Sequence, residues 1–155
     1  MNFDDLKKTL AVYHSDRIIF VGLGNRDCGD DGASQILLNK LRHSEEFKEA
    51  GFVFAGTNPE NYLQKITDKN PQAVVFIDAA HFQDQPGTVK FLEAKQLKPS
   101  DFSTHAFSIS LIADYLTYEK SCAIYYLGIQ PENSGVGQSL SESVQSGLAH
   151  FFSKS

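Results

Sequence analysis

Three apolar runs constrain this chain more than any other feature. Ile18 to Leu23 (IIFVGL), Ala73 to Ala79 (AVVFIDA) and Cys122 to Ile129 (CAIYYLGI) are continuous rather than alternating. A strand with one face in water alternates apolar and polar residues, whereas one that is apolar at successive positions is buried on both faces, as in a parallel sheet covered by helices. The intervening segments supply the helices. Phe3, Leu6, Leu10 and Tyr13 recur at helical spacing within the first 14 residues, and Ala33, Ile36, Leu37, Leu38 and Leu41 do so after the first run. Pro59 to Asp68 follows with Pro in a first helical turn, and Leu140, Val144, Leu148, Phe151 and Phe152 predict a closing helix. From Ala106 to Tyr118, Phe107, Ile109, Leu111, Ile112, Tyr115 and Leu116 predict a helix with one broad apolar face.

Two shorter strands complete the pattern. Phe52 to Ala55 is one, and Thr88 to Glu93 is a short antiparallel edge strand after the turn Gln85-Pro86-Gly87. Lys95 to Ser103 reads as a surface loop, and Pro131 to Gly137 as another. The expected fold class is α/β: a three-layer α/β/α sandwich around a mostly parallel five-stranded sheet, phosphorylase/hydrolase-like, formed by residues 1–155 as a single domain. Such sheets bind ligands at the carboxyl ends of their strands.

Charge and cysteine usage exclude several function classes. With 21% charged residues and a net charge of -5, the chain lacks the clustered Lys and Arg of a nucleic-acid groove or a polybasic membrane face. Cys28 and Cys122 have neither metal-finger spacing nor a disulfide framework, as expected of free thiols in a reducing compartment. The opening MNFDDLKKTLAVYHSDR has no signal-like apolar core, and no stretch reaches the roughly 18 apolar residues of a membrane span. A cytoplasmic protein with a protein or small-molecule partner is expected.

The chemistry concentrates where the first strand ends. In RIIFVGLGNRDCGDDG, residues 17–32, Gly22 and Gly24 allow a sharp turn of the kind that cradles phosphate before a helix. The acids Asp30 and Asp31 stand where that phosphate would sit; they would repel it and attract a cation. A dinucleotide fingerprint needs a third glycine where Asp27 stands, and an acid after the second strand, where Gly56-Thr57-Asn58 follows. Asp30 or Asp31 is also placed to cap the next helix.

Asp78 ends a very apolar strand, where a buried carboxylate without a partner would cost several kcal/mol. His105 precedes the helix that starts at Ala106, after Ser103 and Thr104. Asp31, Asp78 and His105 all fall at junctions that the fold brings to one sheet edge, and two carboxylates with an imidazole suit a divalent ion such as nickel or zinc. Cys28 reads as a small thiol rather than a nucleophile. Among His14, His43, His81 and His150 no paired ligand spacing occurs, although His81 stands three residues past Asp78.

Three stretches carry a resemblance to a known family. GLGNRDCGDDG at 22–32, VVFIDAAHFQDQPGTVKFLE at 74–93, and STHAFSISLIADYL with YYLGIQPENSGVGQSLS at 103–116 and 125–141 resemble, in order, the hydrogenase maturation proteases. Thr104–Leu111 and LGIQP look closest to the branch serving formate-linked hydrogenase complexes. The resemblance implies an endopeptidase that trims the C-terminal tail of a nickel-iron hydrogenase large-subunit precursor. It puts Asp31, Asp78 and His105 on the family's three metal-binding positions, with nickel borne by the substrate.

Under that resemblance Asp31 and Asp78 are the catalytic candidates. They would act with a metal-bound or carboxylate-activated water, or as an aspartic-protease-like pair sharing one proton. Asp31 would be the ligand and Asp30 its capping neighbour, while Gln130 and Pro131 would build a cleft wall. Arg26, Asp27 and Cys28 stand where the family carries apolar residues, and Ala33-Ser34 replaces its small-residue-glycine ending. A non-catalytic module that binds metal or precursor is the alternative reading.

Overall fold

A computed structural model describes residues 1–97 and 105–153. The elements, in order, are α1 (Phe3–Leu10), β1 (Ile18–Leu23), α2 (Ala33–Arg42), β2 (Gly51–Gly56), α3 (Leu63–Thr67), β3 (Ala73–Ala79), β4 (Val89–Glu93), α4 (Ala106–Lys120), β5 (Ala123–Ile129) and α5 (Glu142–Phe152). Ser103, Thr104 and the part of the expected Lys95–Ser103 loop beyond Leu97 lie outside the described residues. Lys95 itself sits in a 3₁₀ turn, Ala94–Gln96.

The five strands form one sheet in the order β2-β1-β3-β5-β4. All neighbours are parallel except β4, which pairs antiparallel with β5 at the edge. Two of the continuous apolar runs are buried on both faces, every residue of β1 and Ala73 to Asp78 of β3, while in β5 Ala123 and Tyr125 are only part-buried. Alternate side chains enter two cores. Ile18, Phe20, Val75 and Ile77 pack under α1, α2 and α5, while Ile19, Val21, Val74 and Phe76 pack under α3 and α4. This is the three-layer arrangement. Fully burying each such side chain contributes about 1.5–3 kcal/mol, so the two cores hold the sheet between its helices.

Local signals set the helix ends. Asn2 accepts from the Asp5 amide while Asp5 accepts from the Asn2 amide, which starts α1 at Phe3. The segment expected as one helix over Pro59–Asp68 divides into a 3₁₀ turn, Pro59–Tyr62, and the single-turn α3. Neither Asp30 nor Asp31 caps α2. They lie in the 3₁₀ turn Gly29–Gly32, and the cap position falls to Gly32 with no side-chain bond. The extra turn moves both acids off the helix end and frees them for other contacts.

The chain leaves β1 for β2 on one side and returns for β3 on the other. Connections leaving adjacent strands in opposite directions open a crevice at their carboxyl ends, here those of β1 and β3.

Candidate active site

The first wall of the crevice is the glycine turn after β1. Gly24 has φ +113°, and a Cβ there would lie 2.2 Å from the Asp31 carbonyl oxygen, so only glycine lets the turn fold onto the acid. The Asn25 amide then donates to Asp31 Oδ2 at 2.7 Å. The half-buried Asp31 side chain is thereby fixed by the backbone of the turn that follows β1.

Asp30 turns the other way and is fully buried. Its carboxylate accepts from the amides of Glu132, Asn133 and Ser141 at 2.8, 3.0 and 2.7 Å, and from the Ser141 hydroxyl at 2.8 Å. Burial pushes its pKa up, but these donors outweigh burial and hold it below the usual carboxylate value. Asp30 is thus the anchor of the loop after β5, and not a helix cap.

Asp78, also fully buried, sits opposite Gly128 near the end of β3. Its Oδ1 is 3.2 Å from His105 Nδ1, and its Oδ2 accepts from the Tyr126 hydroxyl at 3.1 Å. The hydrogen bond to Asp78 raises the His105 pKa above its ordinary value; burial pulls it down, and the charges of Asp78, Asp31 and Glu60 reinforce the rise. Asp31, Asp78 and His105 therefore share one electrostatic environment, with the Asp78–His105 contact as its centre. Among the described residues, no three His, Cys, Asp or Glu side chains are already assembled as a metal cage.

The remaining candidates sort by contact. Gln130 is buried, and its Oε1 accepts from the Phe82 amide at 2.6 Å. Its Nε2 lies 3.4 Å from His81 Nδ1, so His81 is held in the β3–β4 connection. Cys28 is half-buried and Cys122 buried, both free thiols. Arg26 and Asp27 are exposed, and the Asp27 carbonyl accepts from the Gly137 amide at 2.8 Å.

Two contributors escaped the sequence reading. Tyr126 places a hydroxyl within an apolar strand, where it has to find a partner; that rule was the available signal. Glu60 follows Pro59 in the turn after β2, and its charge acts on an imidazole that only the folded chain brings near.

Comparison with known proteins decides the family. Residues 36–153 match the family model described as hydrogenase maturation protease. The chain belongs to the hydrogenase maturation protease family. A putative hydrogenase maturation protease of Methanocaldococcus jannaschii is 29% identical over 123 residues, covering 75% of this chain and 73% of its own length. The hydrogenase 3 maturation protease of Escherichia coli is 25% identical over 118 residues, covering 76% of this chain and 74% of its own. The crystal structure of the [NiFe] hydrogenase maturation protease HycI from Thermococcus kodakarensis superimposes with a TM-score of 0.77 at 25% identity, covering 94% of this chain and 92% of that one. Escherichia coli HybD, at 18% identity and a TM-score of 0.69, shares the fold. As a member of this family the protein is a peptidase. No helix among the described residues is long and apolar enough to cross a membrane.

Proposed function

We propose that this maturation protease is the endopeptidase that removes the C-terminal tail of a nickel-loaded [NiFe]-hydrogenase large-subunit precursor, and that Asp31, Asp78 and His105 recognise the nickel carried by that substrate. The observation that carries the reading is the buried Asp78 carboxylate joined to His105 and Tyr126 at the carboxyl end of a central strand, beside the loop that fixes Asp31. A carboxylate holding an imidazole by one nitrogen is the support found behind metal-ligating histidines. A substrate-borne ion brings ligands of its own, so the protein needs to supply only part of its coordination.

Asp31 and Asp78 are each oriented by their own donors, Asn25 for the first and His105 with Tyr126 for the second. In the nickel-directed version Asp31 and Asp78 are also the catalytic carboxylates; the other version makes them a pair sharing one proton. The ion polarises the adjacent carbonyl, and water attacks that carbon with its proton passing to a carboxylate. Collapse of the tetrahedral oxyanion then expels the tail's amine, whose nitrogen takes that proton from the carboxylate. The free thiols Cys28 and Cys122 support action in the cytoplasm.

The decisive experiment mixes the protein with nickel-loaded and nickel-free precursor and follows tail loss by mass. Cleavage of the loaded form alone is expected, and equal cleavage of both would sink nickel recognition. Asp78→Asn should slow processing by about a hundredfold or more, the usual contribution of a positioned acid-base group. A stable complex that never loses mass would identify a binding module instead.

A further inference from the structure

The sequence predicts one broad apolar face on α4, but the folded helix is apolar on two opposite faces. Ile109, Ile112, Ala113 and Leu116 are buried against the sheet. Phe107, Leu111, Tyr115 and Tyr118 point away from it, with relative exposures of 76, 57, 41 and 81%. At spacings of four, four and three residues they form one stripe about 16 Å long. From Ala106 to Tyr118 the only charged residue is Asp114. A surface helix normally presents a polar outer face, and a contiguous exposed apolar patch marks a contact site. Beside the stripe a groove of about 970 Å³ is lined by Phe107 and Tyr118 with Leu97, and by the charged Glu93, Lys95 and Asp114.

Position identifies what lies on this stripe. It begins two residues after His105, whose ring is fixed at Asp78. A protein that presents a metal to His105 has to rest against the amino end of α4, and the stripe continues from there. A second copy pairing antiparallel through the same stripe would bring its Tyr118 onto Phe107 and lay its own body across the approach to His105.

We propose that the outer face of α4, carried by Phe107, Leu111, Tyr115 and Tyr118, is the docking surface for the folded body of the precursor, which presents an apolar patch beside its metal-bearing end. This proposal rests on the function argued above, and deepens it by separating the grip on the substrate from the chemistry. Removing an apolar anchor from the stripe weakens capture and leaves the cleavage step alone.

The test measures kcat and KM on nickel-loaded precursor for the wild type, Leu111→Glu, Tyr118→Glu and the control Val12→Glu, an exposed apolar residue outside the stripe. Both stripe variants should raise KM about tenfold or more, as truncating a buried interface anchor does, with kcat retained, while Val12→Glu matches the wild type. Near-UV circular dichroism checks the fold, and Tyr118→Glu, altering the most exposed of the four side chains, stands in should Leu111→Glu fail to fold. Wild-type KM in both variants would overturn the docking surface and leave the function standing. A wild type that neither binds nor cleaves the precursor would overturn both. A wild-type dimer dissolved by Leu111→Glu would make a second copy the occupant and overturn the proposal.

Discussion

Asp30 shows how a single side chain joins two distant segments. Its four donors come from residues 102 to 111 positions away, so nothing in the local GDDG pattern could distinguish a loop anchor from a helix cap. Asp30→Ala leaves three amides and a hydroxyl without their acceptor, and should cost about 3 kcal/mol or more, given roughly 1–3 kcal/mol for each orphaned buried group. For a chain of this length that lowers the melting temperature by about 6–12 °C. A wild-type melting temperature would refute the anchor role. The lowered pKa sets the pH dependence. Because the folded carboxyl binds its proton less readily than the unfolded one, its stabilisation is complete above the ordinary carboxylate pKa of about 3.9 and lost as pH falls through the lower folded value. Acid melts of the wild type should therefore steepen below about pH 4, and Asp30→Asn should flatten that dependence. By contrast Asp31, Asp78 and His105 were legible as candidates because each falls at a junction that the strand and helix pattern itself defines. Their mutual contacts were not, since Tyr126 and Glu60 reach the cluster only through tertiary packing.

At the scale of elements, the continuous strands were the most legible part, because burial on both faces leaves no polar positions to blur their ends. Helix boundaries were less so where tight turns intrude, as at Gly29–Gly32 and Pro59–Tyr62. The two faces of α4 could not be separated, because apolar periodicity does not say which side meets the sheet. Close backbone approaches were also hidden. The turn before β4 rests on α5: a Cβ on Gly147 would lie 2.0 Å from the Gly87 carbonyl oxygen. The same turn is tied to the end of β5, with the Gly87 amide donating to the Gln130 carbonyl at 2.8 Å. Gly147→Ala forces helix and turn apart, and should destabilise by about 1–3 kcal/mol despite the better helix propensity of alanine. A thermal melt decides the sign, and a variant more stable than the wild type would show that the contact yields. Since Gln130 also receives the Phe82 amide, the β3–β4 connection should show faster amide exchange at Phe82 in Gln130→Leu.

The whole molecule assembles the proposed site from all three layers at once. Asp31 is carried by the turn leading into α2, whose Leu37 belongs to one core; His105 leads into α4, whose Leu116 belongs to the other; Asp78 stands in the sheet between them. The two cores share their strands, because successive residues of β1 and β3 enter opposite clusters. A strand cannot keep one face packed while the other is released, so loss of either helix layer should release the sheet and the site together. Leu37→Ala and Leu116→Ala, each emptying a fully buried position, should both cost about 2 to 5 kcal/mol. Each should lower one common melting transition, even though the two residues lie on opposite sides of the sheet. Far-UV circular dichroism, aromatic fluorescence and residual processing activity, followed through heating of each variant, should give coincident midpoints, the signature of cooperative unfolding. If Leu116→Ala instead produced an early loss of activity while most of the secondary structure persisted, α4 would be an independently melting layer. The crevice would then be a site closed by α4, and not one built by the whole sheet.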